Sequence, residues 1–290
     1  MNRRRILLGG IGGLWGVAGR VGAQPAQAAT PSLAQQPVAS HTFTTLRLNS
    51  ADGLRPYRIE VAIPRRPAPA TGFPSLFLCD GNAAFMALKP ADLEAAPGLA
   101  VIAMGYDTTG RFDFVSRNYD YTPAVNGPDT VDEMTPANRA GGAEAFTALI
   151  RDTLLPMLAA EIPLDPARRA LWGHSLGGLF VLHTRFRHPN LFRTYIAASP
   201  SLWWYEGRAF TDPPLPPPSP RHVLLIAGGA EVNRRVIAGR PMPTPEETVA
   251  ALKAMAGRLG AETLILPSLN HGPVFTASLP LAVQFATKTL

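Results

Sequence analysis

A serine flanked by glycines, in Gly173-His174-Ser175-Leu176-Gly177-Gly178, is the sharpest chemical signal in the chain. The pattern is G-x-S-x-G, the turn that lifts a nucleophilic hydroxyl between a strand and a helix. An apolar run, Arg169-Ala170-Leu171-Trp172, precedes it, and a helix-like run, Leu179-Phe180-Val181-Leu182, follows. So tight a turn needs small neighbours, and the helix after it aims free N–H groups at a developing oxyanion. The bare pattern also arises by chance as a glycine-rich turn, so the flanking strand and helix matter as much as the serine.

A serine hydroxyl needs a base to take its proton. Of six histidines, His271 stands in Leu269-Asn270-His271-Gly272-Pro273, directly after the last apolar run. The order serine, acid, histidine puts the base of an α/β-hydrolase at that place. His174 points away from the nucleophile it precedes. His183 and His188 belong to the following helix, His222 opens a strand and His41 lies near the start of the fold.

Glu206, Asp212, Glu231, Glu246, Glu247 and Glu262 are the carboxylates between Ser175 and His271. Thr244-Pro245-Glu246-Glu247 reads as a capping box, which accounts for two of them. Glu262 opens the last strand at the wrong end, and Glu206 and Asp212 fall in a long loop. Glu231 follows Val223-Leu224-Leu225-Ile226 and the turn Gly228-Gly229, where a triad acid would project towards the histidine. Pairing with Arg234, or solvent, is the competing reading of Glu231, and a Ser–His dyad without an acid stays open. Oxyanion donors are expected from the N–H of Leu176 and from Gly81 or Asn82, in the turn Asp80-Gly81-Asn82 after another apolar run.

The elements that must hold these residues read as α/β. Thr42 to Leu48 and Tyr57 to Ile63 alternate around Asp52-Gly53, which predicts an antiparallel hairpin. Ser75–Cys79, Leu99–Met104, Ala170–Trp172, Tyr195–Ala198, His222–Ala227 and Thr263–Leu266 are short apolar runs of the buried parallel kind. Helical stretches over Asn82–Leu88, Gly142–Ala160, Leu176–Arg187 and Thr244–Leu259 lie between them, and a last helix follows His271. The prediction is an α/β-hydrolase fold: a mostly parallel central sheet, an antiparallel N-terminal hairpin and helices on both faces, spanning 42–290. Two segments, from Tyr106 to Arg139 and from Ser199 to Pro220, show no sustained period.

The 290 residues carry a formal net charge of +6, but four arginines and no acids fall in residues 1–28, which leaves +2 for the rest. That balance, without a basic helix or zinc-finger spacing, gives no reason to expect nucleic acid as a partner. Asn2-Arg3-Arg4-Arg5, an apolar glycine-rich stretch and Ala26-Gln27-Ala28 read as a Tat-type signal with an A-x-A cleavage site. The expectation is export through the Tat translocon to the periplasm, with residues 29–41 a flexible tail. The apolar stretch is short for a membrane span, and an uncleaved anchor is the competing reading. Cys79 is the single cysteine; it reads as a buried thiol, and no intrachain disulfide can form.

Five stretches together, LCDGNAAF (78–85), GYDTTGRFDFVSRNYDYTP (105–123), LWGHSLGGLFVL (171–182), YIAASPSLWW (195–204) and NHGPVFTASL (270–279), resemble the periplasmic siderophore esterases within the "putative esterase" branch of α/β-hydrolases. The resemblance implies hydrolysis of trilactone catecholates of the enterobactin and salmochelin type, with Ser175 and His271 the catalytic pair. Members of that subfamily are described as using a dyad; this chain departs by offering Glu231 and by carrying Trp203-Trp204. Arg111, Arg117, Tyr119 and Arg139 lie in or beside the first aperiodic segment and suit a flat anionic ligand by charge pairing and stacking, while Trp203, in the second, would equally form an acyl pocket for substrate or pack a hydrophobic seam. The same arginines would equally suit a lid in which they pair with Asp113, Asp120 or Asp132.

The partner expected is therefore a small-molecule ester, with a ferric catecholate siderophore in view. No metal or organic cofactor is expected of the chain, and iron would arrive with the substrate. The resemblance also admits an acyltransferase of the mycolyltransferase type, which the wider family includes, and the residues allow a general carboxylesterase or a non-catalytic binding protein.

Overall fold

The computed structural model describes residues 31–210, 222–232, 236–237 and 239–290. The twin-arginine segment and its cleavage site, Asp212, and Arg234 lie outside them.

Strands β1 (His41–Asn49) and β2 (Pro56–Pro64) form the expected antiparallel hairpin. Then come β3 (Phe73–Leu78), α1 (Gly81–Ala87), α2 (Pro90–Glu94), β4 (Ala100–Tyr106) and α3 (Phe114–Asp120). Helices α4 (Ala143–Leu149) and α5 (Leu155–Glu161) are joined by a π-helical turn at Ile150–Leu154. Strand β5 (Leu164–His174), α6 (Leu176–Arg187), β6 (Thr194–Ala198) and β7 (His222–Gly228) carry the chain across the centre. A small ribbon, β8 (Val236–Ile237) with β9 (Arg240–Pro241), precedes α7 (Pro245–Leu259), β10 (Glu262–Leu266) and α8 (His271–Thr289).

The sheet runs β1-β2-β4-β3-β5-β6-β7-β10. Every pair from β4 to β10 is parallel, and β2 joins β4 antiparallel. Alternate residues therefore feed two cores. Leu76, Leu78, Val101, Trp172 and Ile226 pack with residues of α1 and α8, such as Phe85 and Val274. Phe77, Ile102, Leu171, Tyr195 and Leu225 pack with Phe146 of α4, Leu158 of α5, Phe180 of α6 and Leu252 of α7. This is the α/β-hydrolase architecture.

One expectation is corrected and two are refined. Residues 31–40 do not form a loose tail: Leu33 and Val38 are buried in the core that holds Phe85, and Ser32 caps a short 3₁₀ turn. Their polar neighbours concealed two apolar anchors. The stretch 142–160 is two helices about a π turn, with Pro156 in the first turn of α5 lacking the N–H that a continuous α-helix would use. The aperiodic segment after β4 holds α3, started by the Asp113 side chain accepting from Ser116 N–H.

Candidate active site

Strands β5, β7 and β10 all end at one edge of the sheet, and each delivers one member of a hydrogen-bonded chain. Ser175 sits between β5 and α6 with φ 60° and ψ −119°, a strained turn for a residue with a side chain. Gly173 makes the turn possible: a Cβ there would lie 2.3 Å from the carbonyl oxygen of Gly177. Ser175 N–H donates to Ala198 O, which ties the turn to β6.

His271 opens α8, and its Nε2 lies 3.0 Å from Ser175 Oγ. Its Nδ1 lies 2.9 Å from a carboxylate oxygen of Glu231. An ionised carboxylate can only accept, so Nδ1 carries hydrogen and Nε2 is left to accept from the Ser175 hydroxyl. The other Glu231 oxygen accepts from Gly228 N–H at 2.7 Å and from the Ser199 hydroxyl. Burial alone would raise the Glu231 pKa, but the hydrogen bonds from His271, Ser199 and Gly228 hold it below the usual glutamate value. A carboxylate so held can orient an imidazole and steady its positive charge, and an imidazole so oriented can take a hydroxyl proton.

Residues with no expected part complete the arrangement. Ser199 follows β6 with φ 41°, and Ser201 Oγ lies 3.4 Å from Ser175 Oγ. The Ser199-Pro200-Ser201 turn thus touches both ends of the chain. Its signals in the sequence are its place directly after an apolar strand and its inclusion in the stretch YIAASPSLWW (195–204). His174 donates through Nε2 to the His271 carbonyl at 2.9 Å, and the two rings lie 4.6 Å apart. Burial first, and then the neighbouring His271, push the His174 pKa well below the ordinary value.

Leu176 begins α6, and Gly81 and Asn82 begin α1; first-turn N–H groups of a helix have no intrahelical acceptor. The two turns abut: a Cβ on Gly177 would lie 3.2 Å from that of Cys79 and 3.7 Å from Asp80 Oδ2. Gly81 itself packs on β4, where a Cβ would come 2.4 Å from the Ala103 carbonyl carbon. The Asn82 side chain is spent on β4, accepting from Tyr106 N–H and donating to the carbonyls of Tyr106 and Thr108. Cys79 is fully buried, and burial pushes its thiol well up.

Of the residues expected to meet substrate, Trp203 lines the cleft around Ser175 and His271, a cavity of about 330 Å³. Arg117 is turned inward: it is buried and grips Asp80 through two hydrogen bonds, of 2.8 and 3.0 Å. Although burial alone would lower its pKa, the Asp80 carboxylate holds it above the usual arginine range. Of the three expected carboxylate partners none takes Arg117. Asp113 caps α3, Asp120 pairs with Arg55, and Asp132 accepts from Asn118. Tyr119 lies between Arg55 and Arg139 and, with Asp120, lines a separate cavity. Arg139 and Arg111 are exposed, Arg111 against Phe112, and neither lines the Ser175 cleft. A sequence period reports burial in regular elements; these residues sit in a segment without one, so their directions were hidden.

Comparison with known proteins identifies the family of the chain. The family model described as "Putative esterase" matches residues 50–222. The chain is 34% identical over 258 residues to the apo-salmochelin esterase of Escherichia coli O6:H1, covering 86% of this chain and 80% of that protein. The ferri-bacillibactin esterase BesA of Bacillus subtilis is 32% identical over 169 residues, 54% of this chain and 57% of its own. Among solved structures, the enterobactin hydrolase IroE in complex with the serine-hydrolase inhibitor DFP superposes with a TM-score of 0.71 at 31% identity. That match covers 89% of this chain and 99% of IroE. The chain belongs to this esterase family and is a hydrolase of carboxylic ester bonds on the α/β-hydrolase fold.

Proposed function

We propose that this esterase opens the ester bonds of a trilactone catecholate siderophore through an acyl-enzyme on Ser175. The hydrogen-bonded chain Glu231–His271–Ser175 on a strained elbow is the observation that carries the reading. Ser175 Oγ attacks the ester carbonyl as His271 Nε2 takes its proton. The oxyanion is met by Leu176 N–H and a first-turn N–H of α1, from Gly81 or Asn82. His271 then hands the proton to the departing alkoxide, leaving an ester on Ser175, which water attacks with His271 again as base. Glu231 fixes the imidazole tautomer throughout, which makes the site a triad.

The substrate class rests on relatives named for salmochelin, bacillibactin and enterobactin. Export through the Tat translocon to the periplasm rests on the twin arginines and the A-x-A site. Mass spectrometry of a trilactone catecholate incubated with the purified protein should show linear catecholate units forming faster than p-nitrophenyl butyrate is cleaved. Cleavage of the simple ester alone would remove the siderophore assignment. Replacing Arg3 and Arg4 by lysine should leave the protein in the cytoplasm, and unchanged export would remove the Tat assignment.

A further inference from the structure

A second cavity, of about 350 Å³, opens beside the Ser175 cleft and shares with it the Ser199-Pro200 turn, Trp203, Met242, Pro243 and Thr248. Beyond that boundary its wall is apolar, made by Leu202, Pro241, Ala251 and Leu252. Two charged residues reach it, Arg240 and Glu206, and they pair with each other. The Arg240 guanidinium lies 2.7 Å from Glu133 and 3.1 Å from Glu206. With two carboxylates on the one guanidinium, a ligand in this cavity would meet apolar surface and no positive charge in excess, which disfavours an anionic group and favours an uncharged one.

The position of His271 says which half of an ester faces this cavity. The proton that the imidazole takes from Ser175 must be returned to the leaving oxygen, so the alcohol half lies against His271. Asn270, His271, Gly272 and Pro273 line the cleft, and none of them lines the apolar cavity. That cavity runs instead past Trp203 to α7. We propose that it is the acyl subsite, holding an uncharged apolar group of about the size of an aromatic ring on the acid half of the substrate. The proposal rests on the esterase reading above, with Ser175 as nucleophile.

Ala251 supplies the test, because it borders the apolar cavity alone and is exposed on α7, so a larger side chain can enter without disturbing the core. Values of kcat/KM would be measured for p-nitrophenyl acetate and p-nitrophenyl 3-phenylpropionate. The intact enzyme should prefer the phenylpropionate at least about tenfold, the order that burial of a ring-sized apolar group supports. Ala251→Trp should reduce that preference at least about tenfold by filling the cavity. Equal use of the two esters, or an unaltered preference in the Ala251→Trp enzyme, would overturn the proposal. Failure to cleave either ester would instead count against the esterase reading. Equilibrium binding of the phenylpropionate ester to Ser175→Ala then reads the subsite without turnover. It should be about tenfold tighter than to Ser175→Ala/Ala251→Trp, and equal binding would overturn the subsite.

Discussion

Glu231 and His271 meet at 2.9 Å although they leave different strands, β7 and β10, which pair in parallel from Glu262↔Leu224 to Leu266↔Gly228. That register brings the two strand ends level and sets the acid beside the base. If the contact operates as in a triad, Glu231→Gln should lower kcat by about 10³- to 10⁴-fold while leaving folding intact. Steady-state kinetics on p-nitrophenyl butyrate would check this. A loss under about tenfold would favour a dyad.

Ser199 holds the same carboxylate from the opposite side. Removing its hydroxyl in Ser199→Ala should cost about tenfold in kcat, as expected for losing a hydrogen bond to a charged, buried group. Glu231 has a depressed pKa in the folded chain, so its stabilising contribution is present above the unfolded glutamate value and lost as pH falls through the folded one. With one donor gone the folded value rises, so acid unfolding of Ser199→Ala should begin at higher pH than in the parent. Coincident acid-unfolding curves would contradict this.

His174 gives the opposite chemistry, a buried imidazole kept neutral. The unfolded chain protonates this histidine near pH 6.5 while the folded chain does not. Its effect on stability is therefore nil well above that pH and increasingly unfavourable below it. Denaturant midpoints between pH 5 and pH 7.5 should fall with acid more steeply in the parent than in His174→Gln, by about one proton's worth of slope. Parallel curves would show that His174 titrates alike in both states.

Gly173 tests the elbow as a packing problem. A methyl group there meets the Gly177 carbonyl oxygen at 2.3 Å. Gly173→Ala should cost on the order of 1–3 kcal/mol of stability and displace Ser175 from His271, with activity falling further than stability alone explains. Unfolding curves and kinetics measured together would check this, and an unperturbed enzyme would mean that the elbow has slack.

Much of this site was legible because its residues stand next to elements with strong periods. The elbow follows a buried strand, His271 follows the last strand, and Glu231 follows β7 after two glycines. Helices α6 and α7 begin and end where glycine, threonine and charge patterns place them. The rest depends on contacts between segments distant in sequence. Nothing local says that Arg117 turns inward to Asp80, 37 residues away, or that Ser199 reaches Glu231, 32 residues away. The strand order was hidden for the same reason, since β4 inserts between β2 and β3 through pairing partners that no single run reveals.

Covalent labelling decides whether Ser175 is the nucleophile. The purified protein would be treated with DFP and its peptides mapped by mass spectrometry. A single adduct on Ser175 is predicted, forming in step with loss of esterase activity, slowed in His271→Ala and absent from Ser175→Ala. An adduct on another residue, or undiminished activity in Ser175→Ala, would exclude Ser175 as the nucleophile.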